Sequence, residues 1–82
     1  MDYVALTDRL IKALVNDIDA VSVKEFPSDD DHKIEIQVLV SVDDMKRVIG
    51  RNGKTINSVR TILQAASNLH DHKYINLNVE GF

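Results

Sequence analysis

The chain has 82 residues, of which 44% are hydrophobic and 28% are charged, and it contains no cysteine. A chain of this length has room for one hydrophobic core, so we predict one domain over residues 1–82. The lack of cysteine excludes disulfides and thiolate metal sites. No apolar run approaches the roughly 20 residues of a membrane span, and the first residues do not resemble a signal peptide. We therefore expect a cytoplasmic protein without a membrane partner.

Charge is distributed unevenly along the chain, although the net charge is only −3. Residues 1–44 contain four basic and eleven acidic residues, whereas residues 45–60 contain five basic residues and no acid. The net charge by itself argues against a nucleic-acid-binding protein. The basic segment nevertheless allows the protein to bind a polyanion at one place and to repel it elsewhere.

The first half of the chain is predicted to form a helix and two strands. Residues 3–18 show the period of an amphipathic helix. The apolar face of this helix comprises Leu6, Leu10, Ile11, Leu14, Val15 and Ile18. Residues 20–26 are predicted to form a short strand, and the strict alternation over residues 33–42 predicts a second. Residues 27–31, which lie between the two strands, contain a proline and a run of aspartates. The aspartates lack the spacing of a calcium loop, so this segment is predicted to be a solvated hairpin tip.

The second half is predicted to form two helices, separated by a loop, and a last strand. Residues 41–44 match a capping box, which is followed by apolar residues at helical spacing until Gly50. A long helix is predicted from Lys54 to His70, and a strand over residues 73–80. The apolar face of the long helix comprises Ile56, Val59, Ile62, Leu63, Ala66 and Leu69.

This order of elements, α-β-β-α-α-β, predicts an α+β fold. A short loop joins the first two strands, so they should pair antiparallel. The last strand returns across two helices, which favours a right-handed crossover and parallel pairing. We therefore predict a three-stranded mixed sheet with the helices packed on one face.

The loop Gly50-Arg51-Asn52-Gly53 is the most informative motif. Glycine permits backbone angles that other residues resist and lets another backbone approach closely. The loop leads into a helix N-terminus, where unpaired N–H groups and the helix dipole favour an anion such as phosphate. Glycines also occur in ordinary connections between helices. The functional interpretation therefore depends on the basic residues and on the apolar side chains beside the loop, which can form a floor for bases.

The motif resembles a known signature. Residues 48–56, Val-Ile-Gly-Arg-Asn-Gly-Lys-Thr-Ile, are similar to the V-I-G-x-x-G-x-x-I sequence of KH domains, whose loop clamps about four nucleotides. The order of elements is similar to the type II KH arrangement. Nearly end to end, the chain resembles the small bacterial single-KH-domain RNA-binding proteins of the KhpA type, including a comparable run at residues 10–15. It departs from them at Lys46, where glycine is common, and at Asn52, which is not basic.

The resemblance implies a function and a set of contact residues. It implies a single KH domain that binds single-stranded RNA, acts as an RNA chaperone and self-associates. It also implies partnership with a larger KH-containing RNA-binding protein and a role in cell-envelope homeostasis, cell wall biogenesis and cell shape. The RNA-binding residues that we predict from the motif and the basic segment are Lys46, Arg47, Val48, Ile49, Gly50, Arg51, Asn52, Gly53, Lys54, Ile56 and Arg60. Replacing both glycines by Asp is predicted to abolish RNA binding while preserving the fold.

Other sites are disfavoured by the sequence. Residues 53–55 are similar to the end of a Walker A loop, but Val48 stands where that motif needs glycine. His70 and His72 lack an evident third ligand, so we interpret them as surface residues and expect no metal and no cofactor. No catalytic set converges, and we expect neither an enzyme nor a small-molecule substrate.

A second function class remains open at this stage. The protein can instead be a protein-interaction adaptor on a KH scaffold, with little RNA binding of its own. Ile62, Ala65 and Leu69 lie near one edge of the long helix and are candidates for a dimer seam. For Ile62 and Leu69, packing on the sheet is an equally good interpretation.

Overall fold

The computed structural model describes every residue from Met1 to Phe82 and contains three α-helices and three strands. The helices are α1 (Tyr3–Lys12), α2 (Met45–Ile49) and α3 (Lys54–His70), and the strands are β1 (Ser22–Phe26), β2 (Lys33–Val40) and β3 (Tyr74–Gly81). The predicted α+β class is confirmed. Single turns of 3₁₀ helix, which were not predicted, precede β1, α2 and α3. None of the helices is long and apolar enough to cross a membrane.

The three strands form the predicted mixed sheet, and their order in it is β1-β2-β3. Strand β1 pairs antiparallel with β2, and β3 pairs parallel with β2, with Ile36 opposite Leu77. Every second residue of β2 is buried, because the helices cover that face of the sheet. The parallel crossover brings α2 and the loop after it to the ends of β2 and β3, where Gly81 lies against Met45.

Helix α3 packs on the sheet through a narrower stripe than the sequence predicts. Its buried residues are Ile56, Val59, Leu63 and Ser67. Ile62 and Leu69 are instead 46% and 80% exposed, which excludes packing on the sheet, one of the two interpretations left open for them. Ser67 occupies the last buried position because its hydroxyl donates to the carbonyl of Lys73 at 2.6 Å and accepts from the N–H of Lys73 at 2.9 Å.

Helix α1 ends at Lys12, six residues before the predicted end. The N–H groups of Asn16 and Asp17 do not continue the helix but donate to the carboxylate of Asp44, at 3.1 and 3.0 Å. This contact turns the chain away from the helix axis and into a 3₁₀ turn at Ile18–Ala20. A long-range contact therefore overrides the helical period of the sequence.

The same contact explains why the predicted capping box is absent. Ser41 makes no capping hydrogen bond. Asp44 is 2% exposed. Its carboxylate accepts hydrogen bonds from the N–H groups of Asn16 and Asp17 and, at 3.2 Å, from the guanidinium of Arg47. The N–H groups of Asp17 and Asn16 are the main reason that the pKa of Asp44 is lowered. Asp44 thus anchors the end of α1 to the start of α2.

The beginning of α1 is tied to the end of α3. Asp2 accepts a hydrogen bond from the N–H of Ala5 at 3.0 Å and caps the helix. The buried Tyr3 donates its hydroxyl to the carboxylate of Asp71. Burial raises the pKa of Tyr3, and the hydrogen bond from Tyr3 lowers the pKa of Asp71. Both ends of α1 therefore hold the helices that flank the loop.

Candidate nucleic-acid interface

The loop between α2 and α3 has an unusual backbone. Gly50 and Gly53 both have φ +76°, and Asn52 has φ +56°. The N–H of Gly53 donates to the carbonyl of Gly50 at 3.3 Å, which closes a tight turn. Asparagine is one of the few residues besides glycine that adopts the left-handed region readily. The departure from the family pattern at Asn52 therefore has a conformational reason.

The two glycines have different surroundings. A Cβ atom on Gly50 would lie 2.2 Å from Oγ1 and 2.9 Å from the backbone nitrogen of Thr55, so α3 packs directly against this glycine. A Cβ atom on Gly53 would meet only Nδ2 of Asn57, at 3.8 Å. Gly50 is therefore needed for packing of the loop on α3. The prediction that both positions accept Asp without loss of fold is contradicted at Gly50.

The N-terminus of α3 opens into this loop. The helix begins at Lys54, and its N-cap, Gly53, has no side chain that could accept from the first N–H groups. Unpaired N–H groups at such an end, together with the helix dipole, favour a negatively charged group. The N–H of Lys54 donates to the carbonyl of Arg51, so only the N–H groups that follow it in the first turn could receive an anion.

A groove lies next to the loop on one side of α2. It has a volume of about 460 Å³ and is lined by Met45, Lys46, Ile49, Gly50 and Arg51. Met45 and Ile49 are one helical turn apart and form its apolar floor. Lys46 and Arg51 are exposed and add positive charge to this lining. The groove can therefore hold an apolar ring next to an anion.

The end of β3 packs against the groove residue Met45. A Cβ atom on Gly81 would lie 2.8 Å from Cγ of Met45. The missing side chain at this position is what allows Met45 to lie flat against the strand. The groove is thus lined by α2 and the loop, and β3 supports Met45 from behind.

The basic residues around the groove have no acidic partners. The three ion pairs of the protein join Lys12 to Asp8, Lys33 to Glu35 and Arg47 to Asp44. Lys46, Arg51 and Lys54 take part in none of them and are exposed. Their charge is therefore available to a bound polyanion.

The structure brings most of the predicted site residues together. Lys46, Ile49, Gly50 and Arg51 line the groove, and the adjoining residues 52–54 complete the loop and begin α3.

Three predicted residues lie in the core or beside Asp44 rather than in the groove. Val48 and Ile56 are 0% and 3% exposed and belong to the hydrophobic core, so they do not form the floor of the groove. Arg47 is about 200° around the helix from Met45 and is paired with Asp44. Its side chain therefore lies at the Asp44 contact that joins α1 to α2, and not at the groove.

Met45 is the groove residue that sequence reasoning did not assign to the site. Its spacing was interpreted only as a sign of a short helix, and it is half-buried against the core. The available signal was its position four residues before Ile49, which places both side chains on the same side of a helix.

Arg60, the remaining predicted residue, lies at the outer edge of β3. Its guanidinium donates to the carbonyl of Leu77 at 3.0 Å and to Oδ1 of Asn57 at 2.9 Å. It is therefore held in place beside the strand and is separated from the loop by more than one turn of α3.

The largest recess of the protein does not coincide with this interface. It has a volume of about 560 Å³ and lies beside the hairpin tip, where Asp29, Asp30 and Glu35 contribute to its lining. These carboxylates repel a polyanion, and Lys33 there is paired with Glu35. Charge rather than size therefore singles out the groove beside the loop.

A mixed three-stranded sheet, helices on one face and a glycine-bounded loop between two of them together define a KH domain. The family model "KhpA/KhpB, KH domain" matches residues 5–79, and the chain belongs to this family.

Curated relatives agree with this assignment. The chain is 39% identical over 62 residues to RNA-binding protein KhpA of Halalkalibacterium halodurans, which covers 76% of this chain and 79% of that protein. It is 31% identical over 74 residues to the protein of the same name from Thermotoga maritima, and this match covers 90% of this chain and 93% of that protein. The relatives carry the name of a binding protein rather than of an enzyme. No solved structure gives a significant match.

Proposed function

We propose that this protein binds short stretches of single-stranded RNA at the loop and the groove. The observation that carries the proposal is the combination of an apolar floor, unpaired basic side chains and a helix N-terminus within one small region. The relatives' name, RNA-binding protein, supports the same conclusion. By analogy with other KH loops, the site would hold about four nucleotides.

The two parts of the site suit the two parts of a nucleotide. The N–H groups at the start of α3, with Arg51 and Lys54, would bind the phosphate backbone. Met45 and Ile49 would contact the bases, which are exposed in a single strand and stacked away in a duplex. The lining of the groove contains no aromatic ring. Base contact would therefore rest on aliphatic packing, which gives modest affinity.

The test introduces a negative charge at the loop without disturbing the packing. Gly53 has open space around its Cα atom, and both Asp and Asn tolerate its left-handed backbone. Gly53→Asp places a carboxylate where a phosphate would bind, and Gly53→Asn adds a neutral side chain of the same size. RNA affinity is measured by titrating a fluorescently labelled single-stranded RNA, and folding is followed by circular dichroism.

We expect Gly53→Asp to lose RNA binding and Gly53→Asn to retain most of it, with both variants folded. Equal binding by the two folded variants would show that phosphate is not bound at this position. Wild-type protein that binds none of a panel of single-stranded RNAs would overturn the proposal as a whole.

A second candidate function, association with another KH domain, is favoured by the outer face of α3. Ile62 and Leu69 are exposed and lie with Ala65 along one side of the helix. We propose that this face pairs with a second copy or with a larger KH-containing RNA-binding protein. A single site of about four nucleotides binds weakly, and a second linked domain would add avidity.

Sedimentation of the wild type and of an Ile62→Lys, Leu69→Lys variant tests the association. We expect the variant to be monomeric and to keep its intrinsic RNA affinity, because neither residue lies in the groove. A wild type that remains monomeric at high concentration would contradict self-association. A wild type that self-associates but binds no RNA would favour the adaptor function.

The remaining parts of the proposed role rest on the family resemblance. We propose that residues 1–82 form one KH domain and that the protein acts as an RNA chaperone in the cytoplasm. We also propose that it contributes to cell-envelope homeostasis and cell shape.

A further inference from the structure

A row of polar side chains on α3 covers part of the outer edge of β3. The amide of Gln64 donates to the carbonyl of Lys73 at 2.9 Å and accepts from the N–H of Ile75 at 3.0 Å. One turn earlier on the helix, Arg60 donates to the carbonyl of Leu77 at 3.0 Å. Side chains of α3 therefore bond to outer backbone groups of Lys73, Ile75 and Leu77.

Beyond Leu77 the outer edge of β3 is uncovered. The strand pairs only with β2, on its other side. Because backbone groups alternate between the two sides of a strand, those of Val79 and Gly81 point outward, like those of Leu77. The uncovered edge is about 13 Å long, at roughly 3.3 Å per residue. It ends at Gly81, beside the groove residue Met45.

Arg60 stands at the boundary between the covered and the uncovered edge. Two of its N–H groups are used by Leu77 and Asn57, which fix the plane of the guanidinium. A guanidinium has five N–H donors, so further donors remain. None of the three ion pairs involves Arg60, and the residue is exposed. It is thus an oriented, uncompensated donor group at the end of a free strand edge.

We propose that Arg60 selects the base that lies farthest from the loop, with a preference for guanine or cytosine over adenine or uracil. The inference rests on the proposed binding of single-stranded RNA in the groove. A planar pair of N–H donors matches two adjacent acceptors, which guanine offers at O6 and N7 and cytosine at O2 and N3. The corresponding edges of adenine and uracil place a donor next to each acceptor. Arg60 then provides sequence preference, while the loop provides affinity.

The test uses labelled octamers of uridine in which one central position is uridine, guanosine, cytidine or adenosine. For the wild type we expect about tenfold tighter binding of the guanosine or the cytidine octamer than of the other two. Arg60→Lys keeps the charge but loses the planar pair of donors. It should reduce the preference to less than about twofold, and it should weaken binding of the preferred octamer more than binding of the all-uridine octamer.

Two further variants separate base selection from a structural role. Arg60→Gln keeps an amide that can bond to Leu77 and should lose the same preference. Gln64→Ala removes the neighbouring contacts to β3 and should lower thermal stability while retaining the preference. If Arg60 were only structural, its variants would weaken binding of all four octamers equally, as Gln64→Ala would.

The outcomes distinguish the inference from the function on which it rests. Equal affinity of the wild type for all four octamers, or a preference that survives in both Arg60 variants, would overturn the inference and leave RNA binding intact. Absence of binding to every octamer would overturn both.

Discussion

The residues from Asp44 to Lys54 form two halves with different surroundings. One half, here called the anchored half, consists of Asp44, Arg47, Val48 and Gly50. Asp44 holds the end of α1 and is paired with Arg47, and Val48 lies in the core. Gly50 packs against α3, although it also lines the groove. The other, here called the open half, consists of Met45, Lys46, Ile49, Arg51 and Gly53 and faces the groove or solvent. Residues of the two halves alternate along the chain because one side of α2 faces the core and the other side faces the groove.

The comparison shows that a residue's charge does not decide its role. Arg47 and Arg51 belong to the same basic segment, yet Arg47 is paired with a buried carboxylate and Arg51 has no acidic partner. The same holds for the apolar residues, since Val48 is fully buried and Ile49 lines the groove. Substitutions in the anchored half should therefore lower stability, and those in the open half should lower RNA affinity.

The largest effect is expected from the two glycines. Gly50 has a backbone conformation that is open almost only to glycine, and a methyl group there would clash with Thr55. Gly50→Ala should therefore lower the unfolding free energy by about 3 kcal/mol or more. Gly53→Ala has room for the methyl group and should cost about 1–2 kcal/mol for the left-handed conformation. Urea unfolding measures both. If both variants lost the same unfolding free energy, the two glycines would not belong to different halves.

Val48 and Ile49 provide the next comparison. Val48→Ala leaves a cavity in the core and should cost about 2 kcal/mol of stability, with unchanged RNA affinity for the folded protein. Ile49→Ala should destabilise less and weaken RNA binding about fivefold, since burying roughly 40 Å² of apolar surface gives about 1 kcal/mol. Titration with labelled RNA and urea unfolding are performed on both variants. An Ile49→Ala variant with full RNA affinity would exclude Ile49 from the contact surface.

A smaller loss with a characteristic pH dependence is expected at Asp44. The folded state lowers the pKa of this carboxyl group, chiefly through the N–H groups of Asp17 and Asn16. Its stabilisation is therefore complete above the unfolded pKa of about 3.9 and is lost as the pH falls through the lower, folded value. Asp44→Asn should lower the urea midpoint at neutral pH and flatten its decline between about pH 4 and the acid limit.

Asp43→Asn is the matched control for Asp44, because Asp43 is adjacent and exposed and its side chain has no hydrogen-bond partner. Its midpoint at neutral pH should equal that of the wild type. A decline with acid that is the same in Asp44→Asn and the wild type would show that this carboxylate does not link the end of α1 to α2.

The fold was largely predictable because its strongest signals are local. The alternation of β2 and the long apolar period of α3 follow from burial of one face, and their bounds were predicted within a few residues. The prediction failed where a distant group intervened. The exit of α1 is set by Asp44, 28 positions beyond Asn16, and no local pattern announces that contact.

The candidate site was predictable in position and only partly in composition. The glycines and the basic segment located the loop correctly. They did not show which side of α2 faces the core, so Arg47 and Val48 were assigned to RNA contact and Met45 was left out of the site. That orientation depends on how α2 docks on α1 and β3, which is a tertiary property.

The smallest effect concerns the two arginines of the basic segment. RNA affinity should fall with salt by about 0.7 logarithmic units per neutralised phosphate. Arg51→Ala should weaken binding a few-fold and reduce the salt slope by about that amount, because Arg51 is exposed beside the groove without an acidic partner. Arg47→Ala should leave the slope unchanged and lower only stability, since its guanidinium is paired with Asp44.

This pair of variants tests the division most directly, because the two side chains are identical and lie only four residues apart. Equal reductions of the slope would mean that Arg47 leaves Asp44 when RNA binds and that the anchored half is also part of the interface. An unchanged slope for both would place phosphate binding on the backbone of the loop and on the lysines. Only a loss confined to Arg51 is consistent with one half built for stability and the other for RNA.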